Sequence, residues 1–221
     1  MFFDARKLEQ GHRIQADICI VGAGAAGISI AREFIGSSTR VALLESGGLA
    51  YDALTQSLYT GDNIGLPSFD LEVNRLRFFG GTTNHWAGHC RPLDAIDFEQ
   101  RPWMAHSGWP VDREELDPYY ARSQAIVGLG PYEYENLGFW NEEIGRPQIK
   151  SDALRLETVV YNQSPPTRFG PVYQEELERA QNVSVYLHAN VLEIETNDTA
   201  TRVTGLSLAC IEGPDLARSA R

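Results

Sequence analysis

Asp17-Ile-Cys-Ile-Val-Gly22-Ala-Gly24-Ala-Ala-Gly27 is the stretch on which the fold turns. Its first half is short, apolar and β-branched and stops at glycine, the pattern of a buried strand. Within that run Cys19 reads as a small buried hydrophobe. Ala25 to Ile35 carries Ile28, Ile30, Ala31, Phe34 and Ile35 among small residues and closes at Gly36, which predicts a helix. Val41-Ala-Leu-Leu-Glu45 predicts a second buried strand, broken by Ser46-Gly47-Gly48. Strand, helix and strand within about thirty residues open a parallel βαβ unit.

The glycines have the spacing of a dinucleotide fingerprint. Gly22 permits the tight turn, and Gly24 lets backbone amides approach a pyrophosphate. Ala25 and Ala26 open the helix, and Gly27 lets it pack closely on the strand. The helix N-terminus offers phosphates partial positive charge and unpaired N–H groups. Glu45 closes the second strand and is placed to accept hydrogen bonds from adenosine ribose hydroxyls, which disfavours a 2′-phosphate; Ser46 follows it. The fingerprint alone does not separate NAD from FAD, although Glu-Ser-Gly-Gly leans towards FAD.

Outward from this unit the chain reads as an ordinary globular protein. Its 221 residues are 43% hydrophobic and 22% charged, enough to bury a core without staples. Nineteen Lys and Arg against thirty Asp and Glu give a net charge of −11, which argues against a nucleic-acid partner. Three separated cysteines form neither a disulfide framework nor a CxxC metal site. The N-terminus reaches charge too soon for a signal peptide, and no apolar run approaches the ~18 residues of a membrane span. The expectation is a cytoplasmic protein, with the N-x-S/T triplets at Asn162, Asn182 and Asn197 arising by chance.

Residues 1–16 read as a polar surface lead-in and 51–75 as an irregular excursion. The stretch 91–150 is rich in Pro, Trp and Tyr and holds one convincing helix, capped by Asp112 and running from Arg113 to about Val127. Tyr173–Ala180 reads as helical. Strands are expected over 183–187, 191–196 and 203–210.

Arg75-Leu-Arg77-Phe-Phe-Gly80-Gly81-Thr82-Thr83-Asn84-His85-Trp86-Ala87-Gly88 resembles the signature of the glucose-methanol-choline (GMC) oxidoreductases, FAD-dependent oxidases and dehydrogenases of alcohols and sugars. Gly22 to Gly48 is similar to that family's FAD fingerprint. Asp97-Phe98, Ser107-Gly-Trp109-Pro110 and Leu116-Asp-Pro118-Tyr-Tyr120 resemble a stretch of its bacterial sugar and polyol dehydrogenases. Asn182 to Gly205 resembles the strand pair that returns to the FAD domain, with Val191 where the backbone meets adenine.

The resemblance implies an α/β fold: a Rossmann-like FAD-binding domain of the three-layer ββα type, with the beginning of a substrate-binding domain, in a truncated chain. The expected limits are 1–130 for the first part of the FAD domain, 131–172 for the start of the substrate or cap region, and 173–221 for the return. The adjacent glycines Gly80 and Gly81 would let the main chain lie against flavin or pyrophosphate. Thr82 and Thr83 add hydroxyls, and Asn84 and Ala87 belong to the same cofactor-binding run. His85 and Trp86 would face the isoalloxazine.

His85 departs from the wider family, which carries an aliphatic residue there, and is similar to the pyranose oxidase and fructose dehydrogenase branch. In pyranose oxidases this histidine bonds covalently to the flavin 8α-methyl. His85 is therefore expected beside the dimethylbenzene ring, either as the attachment point or simply packed against bound FAD. Arg91 is expected in a salt bridge rather than at the flavin, and Trp109, Tyr119 and Tyr120 in the core.

Family members pass a hydride to flavin N5 while a histidine from the far C-terminal part of the chain takes the hydroxyl proton. These 221 residues lack that segment, and His12, His106 and His188 are not credible substitutes, so no catalytic residue is assigned here. The whole enzyme's partners would be a small sugar or alcohol and an electron acceptor: oxygen, a quinone or a cytochrome. The chain alone is expected to bind FAD weakly or fold incompletely and to turn over nothing. The competing readings are an NAD-dependent dehydrogenase and a short, non-catalytic nucleotide-binding module.

Overall fold

Apolar runs bounded by glycine become strands here, and the alternation of their side chains builds two buried faces. The computed structural model describes residues 1–145, 158–211 and 217–220. The chain divides into two units, one of Met1–Trp86 with Arg168–Arg221 and one of Ala87–Thr167. The domain limits expected at 130 and 172 fall inside the second and first unit respectively. Residues 146–157 of the expected substrate region, and 212–216 and 221 of the expected return, lie outside the described residues.

The first unit opens with β1 (Phe2–Asp4), β2 (Ile18–Val21), α1 (Ala25–Glu33) and β3 (Val41–Leu44). The excursion at 51–75 contains two single-turn helices, α2 (Ala53–Gln56) and α3 (Leu71–Asn74). The second unit holds β4 (His89–Cys90), α4 (Ala95–Phe98), α5 (Arg113–Ile126), α6 (Leu137–Ile144) and β5 (Asn162–Gln163). The chain returns to the first unit through α7 (Phe169–Arg179), β6 (Val183–Leu187), β7 (Asn190–Thr196), β8 (Val203–Ile211) and β9 (Ala217–Ala220).

β1, β6, β3 and β2 form a parallel sheet in that order. β7, β8 and β9 form an antiparallel sheet. Side chains alternate across a strand, so the central strand β3 serves both faces and all four of its residues are buried. Val41 and Leu43 join Val183, Val185, Ile28 and Leu177 in the fully buried set with α1 and α7. Ala42, Leu44 and Tyr186 face the other way, against Val191, Leu206 and Leu208 of the antiparallel sheet. Antiparallel sheet, parallel sheet and helices stack as three layers, the expected ββα arrangement.

Three expectations need correction. Residues 2–4 are no surface lead-in: Phe2, Phe3 and Asp4 pair with Val185, Tyr186 and Leu187, and the Phe3 ring stacks on Tyr186 at 5.1 Å. Three residues are too few to show periodicity, so only their partner reveals them as a strand. Cys19 is exposed, not buried, because β2 is the outer strand of the described sheet and only Ile20 of its four residues is buried. The 91–150 stretch holds α6 as well as α5, its N-terminus capped by the Asn136 side chain accepting from Phe139 N. α5 itself begins as expected, with a capping box of Asp112 and Glu115.

Candidate functional site

At the C-terminal ends of β2 and β3 the chain is forced to turn, and five stretches of the first unit meet around a cleft of about 330 Å³. The Gly22 N–H donates to Leu44 O at 2.7 Å, carrying the β2–β3 ladder one residue past the strand. Gly24 is then the N-cap of α1 and carries no side-chain cap, which leaves the first N–H groups of the helix without a side-chain partner there. A Cβ at Gly24 would meet nothing within 4 Å, so the backbone is open on that side. At Gly27 the opposite holds: a Cβ would stand 1.9 Å from the Gly22 carbonyl oxygen.

Glu45 lines the cleft yet is only 5% exposed. Its Oε2 accepts from Ala23 N at 2.8 Å and its Oε1 from Gly47 N at 2.9 Å, with the Ser46 hydroxyl at 3.3 Å. The carboxylate thus ties the fingerprint loop to the turn after β3, and Ser46 also lines the cleft. A carboxylate has about four acceptor sites, so these bonds leave it able to accept from a ligand hydroxyl.

The second glycine segment is held against the first by Gly80 N donating to Ala23 O at 2.8 Å. Gly80 has φ +93°, and a Cβ there would stand 2.6 Å from Gly170 N, so both conformation and close packing demand glycine. The chain then winds into a single 3₁₀ turn over Gly81–Asn84. Gly81 and Thr82 line the cleft, but Thr83 and Asn84 turn inward. The Thr83 hydroxyl donates to Gly80 O at 2.7 Å and accepts from Phe169 N, the first N–H of α7, at 3.1 Å. Asn84 Nδ2 donates to Phe79 O and Gly81 O, both at 3.0 Å. Arg168 Nη1 donates to Thr83 O and Trp86 O.

Of the residues singled out from sequence, Gly22, Gly24, Glu45, Ser46, Gly81, Thr82 and Val191 line one cleft. Ala25 and Ala26 form the first turn of α1, while Gly27, Gly80, Thr83 and Asn84 hold the walls. His85 is exposed and Trp86 half-buried, and neither lines the cleft. Ala87 falls in the second unit.

The structure adds Tyr59, Leu76, Arg77 and Ala189 to the lining. Arg77 stands in the quoted signature, but nothing in its spacing distinguishes it from Arg75. Its N–H is fixed by Gln56 Oε1 at 3.0 Å, and Gln56 Nε2 in turn donates to Glu72 O and Arg75 O. Tyr59 comes from the excursion at 51–75, where the sequence has no period to follow.

His188 lies between β6 and β7 with φ +59°, and its N–H donates to Gly47 O at 3.0 Å. Its imidazole packs where Gly48 has no side chain. Burial, and then the Arg6 cation, lower its pKa, while Asp4 and Asp52 pull the other way.

A second groove of about 380 Å³ runs beside α7 between Ile35 and Ala180. Its charges are already paired, Arg179 with Glu175 inside the groove and Glu176 with Arg32. In the second unit Arg91 pairs with Asp94 at 2.5 Å and donates to Val160 O, the expected salt bridge. Trp109 and Tyr119, expected in the core, are 61% and 62% exposed. No helix among the described residues is long and apolar enough to cross a membrane.

The sequence pattern of the FAD dependent oxidoreductases matches residues 17–213, nearly the whole chain. This chain belongs to that family. The family implies FAD as the cofactor, and the uncapped start of α1, the open side of Gly24 and the Glu45 carboxylate in one cleft fit a dinucleotide. Over 139 residues, 52% of this chain, it is 26% identical to a 2-methyl-1,2-propanediol dehydrogenase of Mycolicibacterium austroafricanum, of which it covers 25%.

Among solved structures, pyridoxine 4-oxidase from Mesorbium loti matches with a TM-score of 0.54 and 16% identity over 93% of this chain. A fungal aryl-alcohol oxidase matches with a TM-score of 0.53 and 14% identity over 95%. At these identities the likeness is one of fold. The chain spans 48% and 44% of those two structures.

Proposed function

We propose that this chain is the nucleotide-holding part of a GMC-type oxidoreductase that oxidises CH–OH groups of an alcohol or sugar. The observation that carries the reading is the cleft itself. An uncapped helix start, a buried carboxylate and a glycine-rich turn meet at the C-terminal ends of parallel strands, where α/β sheets bind ligands. Gly24, Ala25 and Ala26 present backbone N–H groups to the pyrophosphate, Gly22 supplies the tight turn before them, and Gly27 keeps that helix start against the strand. Glu45 accepts from the adenosine ribose hydroxyls while Ala23 N and Gly47 N hold its carboxylate in place. Ser46 flanks the ribose, and the Val191 backbone meets the adenine.

Gly80, Gly81 and Thr82 lie along the pyrophosphate and flavin, on a wall that Thr83 and Asn84 brace. His85 and Trp86 approach the isoalloxazine, with His85 beside the dimethylbenzene ring as packing partner or attachment point. FAD, when bound, supplies a hydride acceptor at N5. The GMC resemblance assigns the hydroxyl proton to a C-terminal histidine that these 221 residues do not contain. The cleft residues of this chain bind and orient the nucleotide. The names of the relatives support an alcohol as substrate; a sugar, and oxygen, quinone or cytochrome as acceptor, rest on the resemblance alone.

Titration calorimetry of the chain with FAD, ADP and NADH tests the reading. FAD and ADP are expected to bind at one shared site, each displacing the other. NADH binding with no FAD binding would overturn it. Acid precipitation of the FAD-loaded chain reports on His85: flavin left in solution rules out the covalent bond.

A further inference from the structure

We propose that Arg77 is the cation that holds the diphosphate of the nucleotide, an assignment that rests on the FAD reading above. Charge balance in the cleft motivates it. Its lining carries one carboxylate, Glu45, and one cation, Arg77, in a chain whose net charge is −11. A diphosphate adds negative charge beside Glu45. The start of α1 offsets only about half a charge, so a full cation in the same cleft would strengthen binding of the diphosphate.

The setting of Arg77 fits a group awaiting an anion. Among the described residues it forms no ion pair. Its Nε is buried and donates to nothing, an expensive state for a guanidinium unless a ligand satisfies it. Its Nη2 makes one long hydrogen bond, 3.4 Å to Asn190 Oδ1. The guanidinium lies over the Tyr59 ring, 4.9 Å from its centroid, which orients the planar fork without using its donors. The backbone beneath it is anchored by the buried Gln56, which accepts from Arg77 N and donates to the carbonyls of Glu72 and Arg75. An oriented guanidinium with free donors is the side chain best suited to a two-oxygen grip on phosphate.

Titration calorimetry of the wild-type chain, Arg77→Gln and Arg77→Lys with ADP and with adenosine tests this. For Arg77→Gln the expected result is an ADP affinity about tenfold or more below wild type, with adenosine affinity unchanged within about twofold. Arg77→Lys is expected to recover part of the ADP affinity, since charge returns without the fork. Wild-type ADP binding is expected to weaken with salt more steeply than adenosine binding.

Equal losses for ADP and adenosine in Arg77→Gln would overturn the assignment, leaving Arg77 a prop for Tyr59; so would no loss for either. Should Arg77→Gln fail to fold by circular dichroism, the salt dependence and Arg77→Lys carry the test, and equal salt slopes for the two ligands overturn it. A wild-type chain that is folded by circular dichroism and binds neither ADP nor FAD would instead overturn the FAD reading itself.

Discussion

In Gly22–Gly27 the backbone itself faces the cleft: an uncapped helix start, an open Gly24 and no polar side chain at all. In Gly80–Asn84 the polar side chains are plentiful, yet Thr83 and Asn84 turn away from the cleft and bond to the carbonyls and N–H groups of their own wall. Both segments resemble ligand-binding loops in sequence. The first supplies the site with donors, while most of the second gives it shape. A hydroxyl or amide beside a glycine pair therefore marks a tight turn at least as readily as a ligand, because the turn leaves carbonyls that must be satisfied.

Four substitutions break or sharpen this contrast. Gly27→Ala is expected to have the largest effect, about 3 kcal/mol or more of lost stability, since its Cβ overlaps backbone rather than a movable side chain. Denaturant unfolding reads it, and a loss under about 1 kcal/mol would show that α1 shifts freely. Glu45→Gln is expected to cost about 2 kcal/mol, because its amide nitrogen cannot accept and either Ala23 N or Gly47 N loses its partner. It should also weaken FAD and adenosine binding together, a joint loss that calorimetry would detect.

Thr83→Val tests the other segment. Losing the acceptor for Phe169 N and the donor to Gly80 O is expected to cost about 1–2 kcal/mol. ADP affinity in this variant should stay within about twofold of wild type; a large loss would make Thr83 a ligand after all.

The smallest effect is the pH dependence at His188. Its folded pKa lies below the usual 6.5, so the unfolded chain binds the proton more readily. The stability that His188 contributes is therefore present above pH 6.5 and lost as pH falls through its folded pKa. Melting temperature should accordingly decline over that window. His188→Asn, which keeps a residue tolerant of positive φ, should flatten the decline; an unchanged slope would assign it to other groups.

The sequence by itself determined the βαβ opening, the α5 cap and the β6, β7 and β8 strands. Each of these is written in local terms: apolar runs of strand length, a glycine at a fixed offset, an acidic residue before a helix. Residues whose place depends on a distant partner were not legible. Phe2–Asp4 is a strand because β6, far along the chain, offers it an edge. Cys19 is exposed because β2 ends the described sheet on that side. Tyr59 and Arg77 reach the cleft because a buried glutamine pins an otherwise irregular loop. Local pattern fixes what a segment becomes, since propensity and turn chemistry act over a few residues. Which side chains share a cleft is decided by packing and hydrogen bonds across long loops, and only the tertiary structure holds those.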